Sequence, residues 1–177
     1  MWVEWVFWAL PWLPGVMFVM VVIAALAATR VAHRLGVSSL QAFTLLASTG
    51  LVLAATIPPD GSPIRVGTTS CDLGRVWLAS WRTYVSINQA SLNVALFVPM
   101  GVAIGLLPRK RTSRCVLAVA VILPFLIELI QLGLPVLGRG CQSADVVDNL
   151  FGLGLGLVAG IAVRATAARW TGRRSPT

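Results

Sequence analysis

The sequence predicts an all-α integral membrane protein, a polytopic bundle of about five transmembrane helices. Hydrophobic residues make up 57% of the 177-residue chain and charged residues only 11%. Soluble domains carry about 25% charged residues, so this chain has too few charges to cover a soluble surface. Its apolar residues also lie in long runs, as expected for helices that cross a bilayer core about 30 Å thick.

Five apolar runs approach the length of about 20 residues that a membrane-spanning helix needs. They cover residues 13–28, 40–57, 90–107, 116–132 and 146–163. The first run differs from a signal peptide because its positive charges, Arg30 and Arg34, follow it instead of preceding it. We therefore expect an uncleaved helix. The tryptophans at its start fit an aromatic belt at the membrane interface: Trp2, Trp5, Trp8 and Trp12.

The basic residues predict the orientation of the chain in a bacterial plasma membrane. An N-terminus outside and a C-terminus in the cytoplasm place residues 30–39, 108–114 and the tail from 164 inside, which satisfies the positive-inside rule. The basic residues in these segments are Arg30, Arg34, Arg109, Lys110, Arg111, Arg114, Arg164, Arg169, Arg173 and Arg174. The remaining four are Arg65, Arg75, Arg82 and Arg139. The net charge of +8 thus lies in short clusters, and nucleic-acid binding, which needs a continuous basic footprint, is not expected.

Glycines and aromatic residues give two local predictions. Gly101 and Gly105, together with Gly152, Gly156 and Gly160, recur every four residues, a spacing that favours close helix packing. The longest predicted outer loop covers residues 58–88. Its tryptophans and tyrosine at 77, 81 and 84 have helical spacing, which is typical of a short helix in the outer interface. An ordered loop that caps the bundle is the alternative.

Seven polar residues form the candidate ligand-binding site, since ionisable groups within membrane helices are costly and frequently functional. They are Asn93, Glu128, Gln131, Arg139, Asp145, Asp148 and Asn149. Asp145, Asp148 and Asn149 share one helix face. The predicted topology places the polar residues of three helices at the outer end of the bundle. We therefore expect a single polar pocket that opens toward the cell exterior or the outer headgroup region.

Several chemistries are compatible with such a pocket. Carboxylates with a nearby Arg could bind a cation, an amine or a phosphate-bearing headgroup, and Glu128 could shuttle a proton. A structural reading is the alternative: Asp145 would be the N-cap of the fifth helix, and Glu128 and Arg139 would form a buried ion pair. No Ser-His or Cys-His arrangement can be built at the outer end, because the one histidine, His33, is on the cytoplasmic side, and no phosphate-binding loop is present in the sequence. No cofactor and no metal is predicted.

The cysteines allow two readings. The predicted topology places Cys71 and Cys141 outside, where disulfides persist, and Cys115 at the cytoplasmic end of the fourth helix. A Cys71–Cys141 bridge would pin the long loop over the pocket. Two unpaired thiols are the reading that the sequence favours.

Three blocks of the sequence resemble the VanZ-like family of bacterial membrane proteins. The blocks are Asn93-x-x-x-Phe97-x-Pro99-x-Gly101, Glu128-x-x-Gln131, and Arg139 followed by Asp145-Val146-Val147-Asp148-Asn149-x-x-Gly152. The resemblance implies a helical membrane domain at residues 40–165, after an N-terminal helix and connector at 1–39 and before a basic cytoplasmic tail at 166–177. Cys141 and Gln142 depart from the family, which often has an aromatic residue and an acid there.

The resemblance also implies an unresolved molecular activity. The founding member is linked to teicoplanin resistance, and glycopeptides act outside the cell on lipid-linked wall precursors. We expect a VanZ-like envelope protein that binds a lipid-linked or surface ligand and affects glycopeptide susceptibility. A membrane enzyme acting on a phospholipid headgroup, with Glu128 or Asp145 as acid or base and Arg139 on phosphate, is one alternative. A small proton-coupled carrier is another, so whether the protein is an enzyme stays open.

Overall fold

The computed structural model describes residues 12–59, 67 and 69–172, and within them the chain forms six α-helices and no β-strand. The helices are α1 (Leu13–Leu35), α2 (Ser39–Thr56), α3 (Trp81–Val85), α4 (Gln89–Gly105), α5 (Arg111–Gly133) and α6 (Ser143–Gly172). One 3-10 turn, Pro135–Leu137, lies between α5 and α6. The structure confirms the prediction of an all-α helical bundle.

Five of the helices correspond to the five predicted spans. Helices α1, α2, α5 and α6 are long and apolar enough to cross a membrane. Helix α4 has 17 residues, which corresponds to about 26 Å of helix and lies at the lower end of the usual range for spans. The short α3 is a separate element in the long loop between α2 and α4.

Helix α1 continues beyond the predicted span of residues 13–28 and takes up most of the predicted connector. Ala32 and Leu35 are buried. One face of α1 therefore still packs on its neighbours in the last turns of the helix, where the opposite face carries charged residues. Hydropathy averages over both faces and therefore places the end too early. Gly36 ends the helix at a φ of 65°, and Ser38 begins α2 with a capping box. Helix α6 likewise exceeds its predicted range of residues 146–163 at both ends.

Helices α4 and α6 form the centre of the bundle. The glycine prediction is confirmed, because a β-carbon on Gly156 would meet the Val98 carbonyl oxygen and come within 3.0 Å of Gly101 Cα. Gly105 faces Gly160 in the same way. The two backbones therefore touch along their lengths. Helix α2 packs on α4, α1 packs on α2, and α5 packs on α6.

Replacing Gly156 with Ala is expected to separate α4 from α6 and to lower the free energy of unfolding by about 1–3 kcal/mol, the usual cost of overpacking. The obstacle is the backbone of α4, which cannot move aside as a flexible side chain could. The midpoint of unfolding in detergent micelles measures the loss. Gly154→Ala is the matched control, since it lies on the same helix with nothing within 4 Å of its added carbon. Equal midpoints for the two variants would contradict this account of the interface.

The long loop contains the predicted short helix, although with different residues. Helix α3 includes Trp81 and Tyr84, whereas Trp77 precedes it in irregular chain. Trp77 and Trp81 have exposed side chains, and those of Leu73, Val85 and Ile87 around them are exposed too. An apolar exposed surface suits the membrane interface, and the interfacial position stays a prediction.

Several predictions fall on residues outside the described part of the chain. These residues are Trp2, Trp5 and Trp8 of the aromatic belt and the basic residues Arg65, Arg173 and Arg174. Trp12, the last residue of the predicted belt, is described and its side chain is exposed.

Candidate functional site

The parallel packing of α4 and α6 brings the predicted site residues to one end of the bundle. A β-carbon on Gly152 would meet Val94, and one on Gly156 would meet Val98, so the two helices run in the same direction in a constant register. Asn93 therefore lies at the level of Asn149. We call this end of the bundle, which also includes Glu128 on α5 and Asp145 and Asp148 on α6, the acidic end. The opposite end, with residues 109–114 and Arg164, is the basic end.

Asp148 is the most completely enclosed member of the site. Its side chain is buried, and both carboxylate oxygens accept hydrogen bonds from Arg75, at 3.1 Å from Nη1 and 2.5 Å from Nη2. The Tyr84 hydroxyl donates a further hydrogen bond of 2.7 Å. Arg75 and Tyr84 both belong to the long loop. The two donors satisfy the Asp148 charge, and they hold the loop against the start of α6.

The two loop residues that form hydrogen bonds to Asp148 both have raised pKa values. The hydrogen bond to Asp148 raises the pKa of the Arg75 guanidinium above its ordinary value. Burial raises the pKa of the Tyr84 hydroxyl, so Tyr84 stays protonated as a donor. The same hydroxyl accepts a hydrogen bond from the Ala79 backbone N–H, and the Tyr84 ring packs 5.3 Å from the Phe151 ring.

A disulfide between Cys71 and Cys141 fixes the start of the same loop segment. The favoured sequence reading of two unpaired thiols is wrong, because the structure joins these cysteines across a Cα–Cα distance of 4.6 Å. Next to the bridge, the Asp72 N–H donates to the Cys141 carbonyl and the Ser143 N–H donates to the Asp72 carbonyl, each at 2.9 Å. Cys115 is free and exposed. Sequence alone could not show that the two chain segments run side by side.

Asp145 lies in the first turn of α6 and not at its N-cap, because the helix already begins at Ser143. The N-cap alternative is therefore wrong, although a carboxylate in the first turn still suits the helix dipole. Both Asp145 oxygens accept hydrogen bonds from Gln89 Nε2, at 3.1 and 2.9 Å. This contact joins the beginnings of α4 and α6 at the acidic end.

Glu128, Gln131 and Arg139 connect α5 to its surroundings. Buried Glu128 accepts a 2.7 Å hydrogen bond from the Gln142 backbone N–H, so it holds the connection between α5 and α6. Gln131 donates to the Thr56 carbonyl at the end of α2. Arg139 Nε donates to the Pro58 carbonyl at 3.1 Å, and its charge is close enough to act on the Glu128 carboxylate.

A protein-family model matches most of the helical bundle. Residues 16–164, from α1 to near the end of α6, match the VanZ/LLP1 family model. The chain belongs to the VanZ/LLP1 family. The resemblance read from the three sequence blocks is therefore confirmed. No curated protein and no solved structure matches the chain. The division of the chain at residues 39 and 165 stays a prediction.

Among the described residues of this VanZ/LLP1 family member, two polar atoms at the acidic end are buried without a hydrogen-bond partner. They are the donor Asn93 Nδ2 and the acceptor Asn149 Oδ1. An unsatisfied buried group costs about 1–3 kcal/mol, so such atoms require an explanation. Asn93 also lies close enough to interact with the Asp145 carboxylate. We call Asn93, Asp145 and Asn149 the polar cluster.

Residues of the long loop cover part of the acidic end of this family member. The sequence predicts an open polar pocket there, whereas Arg75 and Tyr84 occupy the space over Asp148. A cavity of about 380 Å³ lies at the basic end, between α4, α5 and α6. An outward-facing pocket is thus not confirmed, and the seven site residues remain candidates.

Sequence reasoning missed three described residues whose side chains form hydrogen bonds to the candidate site, namely Arg75, Tyr84 and Gln89. One signal was available for Arg75. It is one of the four basic residues that the positive-inside rule leaves in outer segments, and such exceptions need an acidic partner or water. Tyr84 and Gln89 gave no comparable signal, because aromatic and amide residues are ordinary at the ends of membrane helices.

Proposed function

We propose that this VanZ/LLP1 family member binds a polar ligand, lipid-linked or carried at the cell surface, at the acidic end and thereby affects glycopeptide susceptibility. The observation that supports the proposal best is the pair of unpartnered atoms in the polar cluster. Asn93 Nδ2 offers a hydrogen bond and Asn149 Oδ1 accepts one. Beside the Asp145 carboxylate, they suit a ligand group that both donates and accepts, such as an amide, an amine or a hydroxyl.

The proposal includes an orientation, with the acidic end outside the cell. The described acidic residues, Asp72, Glu128, Asp145 and Asp148, are at or near the acidic end, whereas residues 109–114 and Arg164 are at the other. The positive-inside rule favours a cytoplasmic basic end. The Cys71–Cys141 disulfide at the acidic end favours an oxidising compartment there. Both features agree with the N-terminus outside and the C-terminus in the cytoplasm.

Binding receives more support than catalysis on a lipid headgroup. A headgroup enzyme would use Glu128 as acid or base and Arg139 on phosphate. Glu128 already accepts the Gln142 N–H, and Arg139 Nε already donates to Pro58. These contacts hold the backbone of the α5–α6 connection, which is a positioning task. The polar cluster, in contrast, retains hydrogen-bonding capacity.

The test expresses Asn93→Ala and Asn149→Ala variants at matched membrane levels in a bacterial host. Each substitution removes an atom that has no hydrogen-bond partner within the described protein, and the unfolding midpoint of each variant is measured alongside, because Asn149 is buried and its truncation also removes packing. Teicoplanin susceptibility is expected to shift on expression of the wild-type chain and to return to the empty-vector value in both variants. Arg82→Gln, an exposed change near the same end, is the control and should behave as the wild type.

Three results would count against the proposal. Susceptibility that is identical for wild type and both variants, at equal membrane levels, would exclude ligand binding by the polar cluster as its cause. A change in the chemical composition of lipid-linked precursors, measured by mass spectrometry, would favour the enzyme. Loss of protein from the membrane in both variants would favour a structural role for the two asparagines.

A further inference from the structure

The cavity at the basic end is separate from the polar cluster and has a different chemistry. It is an open groove with a volume of about 380 Å³. The walls are apolar side chains of α4, α5 and α6. The polar lining consists of Arg109, Lys110, Arg111, Ser113, Arg114 and Arg164.

All the charged side chains that line this cavity are positive. Five of its lining residues are basic, and within the described residues none of them forms an ion pair with an acid. The described acids Asp72, Glu128, Asp145 and Asp148 lie at or near the opposite end of the bundle. Arg164 is held in place by a hydrogen bond to the Leu107 carbonyl. Like charges gathered around an apolar space repel one another, and a bound anion would relieve this repulsion.

The first turn of α5 adds hydrogen-bond donors to the same space. Its N-cap residue, Lys110, makes no side-chain capping bond, and the first helical bond runs from the Arg114 N–H to the Lys110 carbonyl. The preceding backbone N–H groups of the turn therefore have no partner within the helix. A helix N-terminus of this kind favours negative charge.

Ser113 supplies an independent sign that a ligand is needed. Its Oγ is buried and has no hydrogen-bond partner, although the residue lies in the helical first turn and lines the cavity. Serine hydroxyls in helices can usually bond to a carbonyl of the preceding turn. The Lys110 carbonyl of that turn accepts the Arg114 N–H and Ser113 Oγ bonds to none of the described residues, so the hydroxyl is available to an occupant of the cavity.

We propose that this cavity binds a phosphate group, held by Ser113 Oγ, the first-turn amides of α5 and the guanidinium groups of Arg114 and Arg164. A phosphate offers several acceptor oxygens, and arginine can donate two parallel hydrogen bonds to it. The phosphate belongs either to the headgroup of an anionic phospholipid or to a free phosphate compound. The apolar walls, which would accommodate acyl or glycerol carbons, favour the lipid.

The experiment uses the purified full-length protein in an uncharged detergent. Binding of dioleoylphosphatidylglycerol is measured by native mass spectrometry and by the unfolding midpoint, with dioleoylphosphatidylcholine for comparison. Inorganic phosphate is titrated separately against chloride at equal ionic strength. Phosphatidylglycerol binding with no effect of phosphate identifies the lipid headgroup, whereas stabilisation by phosphate at equal ionic strength identifies the phosphate itself as sufficient.

Two variants and one matched control decide whether the site is specific. Arg114→Gln and Ser113→Ala are each expected to weaken binding by about tenfold. Ser113→Ala removes an unpartnered hydroxyl, so the ligand-free protein should unfold at the wild-type midpoint. Arg169→Gln removes one positive charge from an exposed position of α6 that does not line the cavity, and it should bind as the wild type. Equal weakening in Arg169→Gln, or no binding of either probe, would overturn the proposal.

Discussion

Replacing Arg75 with Gln is expected to lower the free energy of unfolding by about 3–5 kcal/mol, the usual loss when one partner of a buried ion pair is removed. The Asp148 side chain is only 1% exposed, and Arg75 provides two of its hydrogen bonds. Without the guanidinium, a charged carboxylate would remain buried, with Tyr84 as its one side-chain donor among the described residues. Unfolding in detergent, followed by circular dichroism, measures the loss.

Two further variants separate the ion pair from a general effect of charge. Arg82→Gln removes a positive charge from an exposed position in α3, and its unfolding midpoint should match the wild type. Adding Asp148→Asn to Arg75→Gln removes the stranded carboxylate and should recover part of the lost stability, which a double-mutant cycle quantifies. Equal midpoints for Arg75→Gln and Arg82→Gln would show that the Arg75–Asp148 pair contributes little.

Removing the Cys71–Cys141 disulfide is expected to cost about 2–5 kcal/mol and to release the segment that contains Arg75. The bridge closes a loop across a sequence separation of 70 residues. Because α4 and α5 stay helical in a bilayer, the unfolded loop has less freedom than a soluble chain of that length. We therefore expect the loss at the lower end of this range. A Cys71→Ser, Cys141→Ser double variant tests it through the unfolding midpoint.

The disulfide variant also has a clear control and a clear contrary result. Cys115→Ser removes the free, exposed thiol and should leave the midpoint unchanged. The unreduced wild-type protein should release no new thiol on denaturation beyond that of Cys115. Two additional reactive thiols in protein isolated from an oxidising compartment would show that the bridge does not form.

The helical content and the number of spans follow from the order of residues because hydropathy is a local property. A run such as residues 116–132 has no charge to expose except Glu128, and a bilayer admits only structures with internally satisfied backbone groups. The glycine spacing was equally informative, since small residues every four positions leave a groove along one helix face. The position of Asn93, Glu128 and Asp145 at one end also follows, because alternating spans reverse the chain direction.

Contacts between distant segments could not be read in the same way. The partner of Asp148 lies 73 residues away along the chain, in a loop with no regular pattern before α3. Several basic residues of the outer segments were equally plausible partners by charge alone. The pairing of Cys71 with Cys141 likewise depends on the path of that loop, which brings Asp72 beside Gln142.

By itself, the sequence determined a VanZ/LLP1 helical membrane bundle with its acidic and basic residues at opposite ends. Local hydropathy, charge position and glycine spacing suffice for that. The tertiary structure alone decided that Arg75 and Tyr84 cover Asp148, that the cysteines pair, and that a cavity lies at the basic end. Each of these depends on how separate segments pack in three dimensions, and packing depends on shape and loop path, which no local pattern records.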